Sequence, residues 1–381
     1  MRILYVATDQ IVPGTKGGST HVLAVAEGLA ALGHEVHVLA SPGGALRPGA
    51  VHWHSFSPPL GFRQLRFLRA GAVRALATSI RPDVIMERYY NFGGEGVRAA
   101  VALRVPLVLE VNAPAVDYEG SPKRVLDRAL LVEPMRRWRE KIAARTALFV
   151  TTSAEILPAG IDRSRIFETE WGADVERFRP NATGPLPFAR DASRISCVFA
   201  GAFRSWHGAA RLADALSRLQ RSGETRFGGI FIGDGPERAA TEQAARGVPG
   251  VVFTGALPHA TVPAALSAAD IGVAPFEPVR HAPLTLGFYW SPLKVFEYMA
   301  AGLPVVAPAL PRLTALVAHE REGLLYDPSD PTALDRALVA LADPDRRRRL
   351  GAAARDRAVR EYSWAAHCAA LDDRLRRLVR R

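Results

Sequence analysis

Twice along this chain, short apolar runs of buried-strand length alternate with amphipathic stretches of helical length. A segment rich in proline and glycine separates the two series. In the first series, residues 3–7, 35–40, 83–86, 106–111, 147–152 and 166–169 read as strands, with helices expected over 19–32, 62–80, 97–103 and 125–144. In the second, strands are expected at 195–200, 229–232, 251–254, 271–275, 304–307 and 323–326, again separated by helices. Strands joined through helices can pair only in parallel, so the pattern specifies an α/β chain with sheets covered on both faces. The separating stretch, 178–192, carries Pro180, Gly184, Pro185 and Pro187 and few bulky apolar residues. The expected organisation is two Rossmann-like domains, 1–180 and 181–360, followed by a helical tail over 361–381. In such sheets ligands bind outside the carboxyl ends of the strands, which would here face a cleft shared by the domains.

With 381 residues, each half is long enough to bury its own core. Cys197 and Cys368 are the only cysteines, which excludes a disulfide framework and a thiolate metal site and suits a reducing cytoplasm. The apolar start over residues 1–7 is too short for a secretion signal or a membrane span. A formal charge of +11 favours anionic partners. The arginines are scattered, however, and no nucleic-acid-binding signature is present. Arg63, Arg66, Arg69 and Arg74 share the expected helix 62–80 with Phe62, Leu65, Phe67 and Leu68. Such a helix either rests peripherally on anionic lipid at the inner face of a membrane or packs on its sheet, and packing is the commoner fate. No Walker loop and no nucleophile elbow occurs.

The chemistry concentrates in 291–306, SPLKVFEYMAAGLPVV, which reads as a cap, a short helix and a strand. Ser291 has the character of an N-cap and Pro292 that of a first helical residue. Lys294 is then out of place, because a cation in the first turn opposes the helix dipole. A lysine beside free amides forms a site for phosphate or diphosphate, and Glu297, one turn on, suits sugar hydroxyls. The alternative is a capped core helix carrying a surface Lys–Glu pair. Gly17 and Gly18, between the first strand and first helix, either allow close approach of an anionic ligand or only shape the loop. The stretch 201–208, GAFRSWHG, holds the corresponding place in the second half, where His207 or Arg204 meets phosphate or packs in the loop. Gly233 opens a tight GDGP turn at a strand end, and 254–259, TGALPH, is placed to line a nucleotide base. Glu110 and Asn112 end a first-half strand, where Asn112 either serves a ligand or caps the next turn.

Taken together, these motifs resemble the GT-B glycosyltransferases of family 4, the glycosyl transferases group 1, over nearly the whole length. The glycine pair, the WGAD and FRP segments near the junction, GDGP and 292–306 carry the resemblance. It implies two Rossmann-like domains with a C-terminal helix crossing back to the first, and retaining, metal-independent hexosyl transfer. The donor would be a nucleotide diphospho-sugar, with no other cofactor. Lys294 and the amides around Leu293 and Val295 would hold the diphosphate, Glu297 the ribose, and Gly17 and Gly18 would close over the donor. The acceptor, a glycan, a lipid-linked sugar or a small molecule, would lie on the first domain. Three positions depart from the family pattern. Ala202 and His207 stand where an arginine and a lysine are usual, Tyr289 replaces the first of two glutamates, and Asn112 replaces a histidine. WHG with FYWSPLKVFEY looks like a variant subgroup, in which Tyr289 would stack on or bond the sugar. The alternatives are an inactive nucleotide-sugar-binding protein and a sugar-nucleotide epimerase.

Overall fold

Strands apolar on both faces need a layer of helices on each side, and the chain meets that requirement twice. The computed structural model describes every residue except Thr15, 46–48, Phe92, Val132 and Arg381, and except the side chains of Arg63, Gln64 and Val279. It divides into two compact units. Unit 1 comprises Met1–Trp171, Tyr289–Ser291 and Trp364–Arg381, and unit 2 comprises Gly172–Phe288 and Pro292–Ser363.

Unit 1 runs β1 (Arg2–Val12), α1 (Gly17–Ala31), β2 (Glu35–Pro42), β3 (Val51–Ser55), α2 (Ala70–Ile80), β4 (Val84–Arg88), α3 (Glu95–Leu103), β5 (Leu107–Val111), α4 (Pro122–Ala129), α5 (Glu133–Arg145), β6 (Leu148–Thr151) and β7 (Ile166–Glu168). Its seven strands are parallel in the order β3-β2-β1-β4-β5-β6-β7. Unit 2 runs β8 (Ile195–Ala200), α6 (Ala209–Arg221), β9 (Phe227–Ile232), α7 (Arg238–Ala244), β10 (Val251–Gly255), α8 (Val262–Ser267), β11 (Ile271–Val273), α9 (Leu293–Ala300), β12 (Val305–Pro308), α10 (Pro311–Leu316), β13 (Gly323–Tyr326), α11 (Ala333–Ala340) and α12 (Pro344–Glu361). Its six parallel strands are ordered β10-β9-β8-β11-β12-β13. Strand order reverses between β1 and β4 in unit 1 and between β8 and β11 in unit 2. Those are the positions where open parallel sheets leave room for a ligand.

The last helix, α13 (Trp364–Val379), belongs to unit 1. Leu371 and Leu375 join the core of that sheet beside Val22, Val25 and Leu29 of α1. Cys368 lies so close to α1 that a Cβ on Gly28 would come within 2.4 Å of its sulfur. His34 Nε2 meets Asp372 Oδ1 at 2.7 Å.

Four local expectations change. The helix expected over 62–80 is a 3₁₀ segment, Arg63–Arg69, leading into α2 at Ala70. Its three-residue period points Arg66 inward, fully buried with its guanidinium 4.0 Å from the Tyr90 ring centre. The helix expected over 125–144 is broken into α4 and α5 around Leu131, whose φ of 53° no α-helix accommodates. Helix α1 begins at Gly17 rather than Ser19, which takes the glycine pair out of the loop and into the first helical turn. The junction expected at 180 falls at Trp171. Residues 172–178 are bound into unit 2, because Ala173 N–H donates to the Tyr362 carbonyl at 2.7 Å and Arg355 reaches the Val175 and Phe178 carbonyls at 2.8 Å.

Candidate active site

The residues singled out in the sequence fall into two groups, one in each unit. In unit 2, α9 and the loop after β8 form the first group. Tyr298 of α9 accepts the Ala200 N–H at 2.7 Å, which ties the helix to the end of β8. Arg355 donates to the Ala300 carbonyl at 2.8 Å and so satisfies one acceptor at the helix C-terminus. Anchored through its C-terminal half, α9 places Lys294 at the switch point of the sheet. Its Nζ lies 4.1 Å from the ring centre of Phe199, on β8, and 5.1 Å from that of Phe276, beyond β11. Lys294 is only 9% exposed, and its Nζ has no hydrogen-bond partner among the described residues. Burial pushes this amine down to about 7, partly offset by Glu297. Gly201, at φ 143°, leaves the room it needs, since a Cβ there would stand 3.1 Å from Nζ.

His207 adjoins this lysine. Its Nδ1–H donates to the Ala202 carbonyl at 2.6 Å, which leaves Nε2 as the free ring nitrogen. Burial, reinforced by Lys294, pushes the imidazole down to about 3, with Arg204 acting in the same direction. Arg204 is exposed beside Trp206, its guanidinium 5.8 Å from that ring. One buried amine, one imidazole and one exposed arginine therefore stand together between the end of β8 and the start of α9.

Ser291 does not cap α9, contrary to expectation. The N-cap is Pro292, without a side-chain bond, and helix residues begin at Leu293. The Ser291 hydroxyl instead accepts the Trp171 N–H at 2.8 Å and bonds Glu170. Val295 N–H donates to the Pro292 carbonyl at 2.8 Å, so it turns into the helix rather than toward a ligand. The first-turn amides of Leu293 and Lys294 stay outside the helical ladder. Glu297 is half-buried, with Oε1 3.7 Å from His259 Nε2 at the end of the TGALPH stretch. Gly233 has a packing role that its turn alone would not reveal. At φ 127° it rides against β8, where a Cβ would fall 2.0 Å from the Gly201 carbonyl.

In unit 1 the second group surrounds Glu110, which is 3% exposed at the end of β5. Its Oε1 takes Arg88 Nη1 at 2.6 Å, His21 Nε2 at 2.8 Å and the Asn112 amide, and its Oε2 takes the Tyr5 hydroxyl. Burial would raise this carboxyl, but the His21, Arg88 and Tyr5 donors overcome it and hold it well below the carboxylate range. Burial lowers His21, whose Nε2 stands 2.8 Å from Glu110 Oε1 and whose ring centre lies 4.3 Å from that of Trp171. Asn112 Oδ1 accepts from Trp171 Nε1 at 3.2 Å, so both ends of its amide are held. Tyr289 is 8% exposed and fixed by its carbonyl, which accepts the Thr152 hydroxyl. Its own hydroxyl is pushed up to about 12 by burial and by Tyr118. Gly18 leaves space for the Gln10 side chain, whose Oε1 would be 2.4 Å from a Cβ there. Thr15 of the TKGGSTH stretch lies outside the described residues.

Sequence reasoning missed Arg88, Tyr5 and the two rings around Lys294. Arg88 stands opposite Glu110 in the β4–β5 register, which no spacing within one strand reveals.

Residues 15–166 match the family model described as Glycosyltransferase Family 4, and residues 194–343 match Glycosyl transferases group 1. The GDP-mannose-dependent alpha-mannosyltransferase of Mycolicibacterium smegmatis is 30% identical over 97% of this chain and 95% of its own. The chain belongs to glycosyltransferase family 4. A second relative, the D-inositol 3-phosphate glycosyltransferase of Xylanimonas cellulosilytica, is also 30% identical, over 96% of this chain and 93% of its own. Among solved structures, sucrose-phosphate synthase from Thermosynechococcus elongatus shares the fold at a TM-score of 0.75, with 20% identity and coverage of 99% and 98%. Anabaena HepE, in complex with UDP and glucose, shares it at a TM-score of 0.71, with 18% identity and 98% of each chain covered. The family 4 chain described here is thus a glycosyltransferase built on two parallel-sheet Rossmann-like units. No group of side chains suited to a metal ion occurs among its described residues, and no described helix is long and apolar enough to cross a membrane.

Proposed function

We propose that this glycosyltransferase moves a hexose from a nucleotide diphospho-sugar to a hydroxyl acceptor with retention of anomeric configuration and without a metal. The observation that carries the proposal is Lys294: a buried amine with no hydrogen-bond partner among the described residues, held in a helix's first turn at the switch point of unit 2. A diphosphate would supply the partner that the folded chain does not. In this role Lys294 and the Leu293 amide take the phosphate oxygens, Arg204 adds charge from the rim, and Glu297 accepts from ribose hydroxyls. His207, through its free Nε2, accepts from a sugar hydroxyl rather than donating to phosphate. Unit 1 by itself carries groups suited to a sugar or its acceptor: the first-turn amide of Gly17, the Tyr289 ring and the second amide hydrogen of Asn112. On transfer the bond from the anomeric carbon to the diphosphate oxygen breaks, the acceptor oxygen bonds that carbon on the same face, and the departing nucleoside diphosphate takes the hydroxyl proton. Lys294 and the helix dipole offset the charge that develops on the leaving group.

Relatives named for GDP-mannose and for D-inositol 3-phosphate support a hexosyl donor and a polyol, glycan or lipid-linked acceptor. Two buried free thiols, Cys197 and Cys368, suit a cytoplasmic setting. The test is binding of GDP, UDP and their nucleosides to Lys294→Ala by calorimetry. Loss of one charge-assisted contact should weaken the preferred diphosphate by about 10- to 100-fold and leave the nucleoside unchanged. Equal diphosphate affinity in both proteins would reject the role. Product analysis with and without an added acceptor separates transfer from epimerisation of the donor.

A further inference from the structure

Two rings of different standing keep water from the Lys294 amine. Phe199 is fully buried on β8, in the core of unit 2, and is as fixed as the sheet that carries it. Phe276, 5.1 Å from the amine and 2% exposed, lies instead on the loop that follows β11. A ring carried by a loop stays in place only if something holds the loop.

The loop after β8 supplies that hold at three points. Gly208 packs so closely that a Cβ there would fall 1.7 Å from the Pro275 carbonyl oxygen. The Trp206 carbonyl accepts the Glu277 N–H at 2.9 Å. The Trp206 ring then stacks on His281, with centres 3.9 Å apart and planes at 19°. Phe276 falls between the first two points, so its backbone shifts only if they open. Phe288 meets its ring edge to face at 4.9 Å. Trp206 alone provides two of the three points, one through its backbone and one through its side chain. The same turn, Ser205–His207, carries His207, whose ring lies 6.1 Å from that of Phe276.

This clasp acts on the amine through solvation rather than charge. Glu277 is the one carboxylate of the loop after β11, and it is taken by Arg211 of α6 at 3.3 Å and by Arg280 at 3.6 Å. The loop after β8 brings Arg204, exposed beside Trp206, and His207, pushed down by burial. His281 is likewise lowered, by burial and by Arg204. On α9 itself Glu297 favours the ammonium form. Opening the clasp therefore brings water to Lys294 and no new carboxylate. A phenyl face does attract an ammonium group, but burial outweighs that attraction here, since the amine is pushed down to about 7.

We infer that Trp206 is a positioning residue of the donor site, which clasps the 275–281 loop and so holds Phe276 against Lys294, keeping the amine dry until a ligand enters. The ligand is that of the sugar-transfer reading, on which this inference rests, whereas the clasp itself is tested without one. The chain has four lysines, so lysine labelled with carbon-13 at Cε gives a spectrum in which Lys294 is assigned by its absence from Lys294→Arg. Its signal is titrated in the full chain for wild type, Trp206→Ala, Trp206→Phe and His281→Ala, with exposed Lys141 as the internal reference. The wild-type midpoint should lie near pH 7. Trp206→Ala should move it up by about one to two pH units, and His281→Ala by less in the same direction. Trp206→Phe, which can still stack, should restore it. A residue with only a structural role would lower the unfolding midpoint of the chain and leave this titration where it was. An unchanged titration in Trp206→Ala, or in His281→Ala where Trp206→Ala does not fold, would overturn the inference. So would a wild-type amine that titrates in the ordinary lysine range. Repeating the series with GDP or UDP separates the two readings, because a clasp-dependent midpoint that neither nucleotide moves would keep the clasp and reject the diphosphate role.

Discussion

Lys294 is held where an ammonium group is poorly solvated, between two phenyl faces and beside a glycine that keeps the space open. The same position on a surface helix would be worth a few tenths of a kcal/mol in a pair with Glu297. Burial changes its chemistry. With its free-protein value near 7 and a bound value restored toward the ordinary lysine range, diphosphate binding must draw in a proton above neutrality. Affinity for the preferred nucleoside diphosphate should therefore be greatest at and below about pH 7 and fall by up to tenfold per unit as the pH rises beyond it. Lys294→Arg, permanently charged, should flatten that limb in a calorimetric pH series. A flat wild-type profile would show that the amine is already charged when the site is free. The sequence marks Lys294 as out of place in its turn, but the cause of its perturbation is burial against Phe199 of β8, almost a hundred residues away, and Phe276 of the loop after β11.

The Glu110 cluster belongs to the scale of elements. Alternation along β5 predicts that Glu110 and Asn112 share a face, and they do, joined by a direct hydrogen bond. It does not predict that the face is closed over by Arg88 of β4, Tyr5 of β1 and His21 of α1. Parallel register decides this, since Arg88 aligns with Glu110 across the ladder. Replacing Glu110 with Gln would leave a guanidinium that is 6% exposed with Asp9 as its remaining carboxylate, at 3.3 Å, at a cost of about 1–3 kcal/mol in denaturant unfolding. The pH dependence carries its own sign. A carboxyl held low in the folded state stabilises fully above its unfolded value of about 4.3 and loses that contribution as the pH falls through the acid range. Glu110→Gln should therefore show a shallower acid limb than the wild type. If the two limbs were parallel, Glu110 would not be the group responsible. The basic segment at 62–69 is another element-scale matter. Its composition suits an amphipathic helix, and the turn chemistry around Gly61, together with the buried Arg66, makes it a 3₁₀ segment with its apolar residues outside.

For the molecule as a whole, the final helix closes the core of the unit that the chain began. Leu375 is fully buried against residues more than three hundred positions away. Leu375→Ala should cost about 2–5 kcal/mol, seen as a lower unfolding midpoint of unit 1, although the site lies outside every strand and every candidate site residue. An unchanged midpoint would mean that α13 is not part of that core. The sequence by itself determined the doubling of the α/β pattern, the parallel sheets, and the residue types at the strand ends, because periodicity and turn residues act over short spans. It also placed a lysine at a helix start and a glutamate one turn beyond. Only the tertiary structure decided which strands are neighbours, where the strand order reverses, and hence which side chains lose water together. It joined Ser291 to Glu170 rather than to its helix and left the Lys294 amine buried without a hydrogen-bond partner among the described residues. The reason is physical: desolvation and register are properties of contacts between distant segments, and no local pattern carries them.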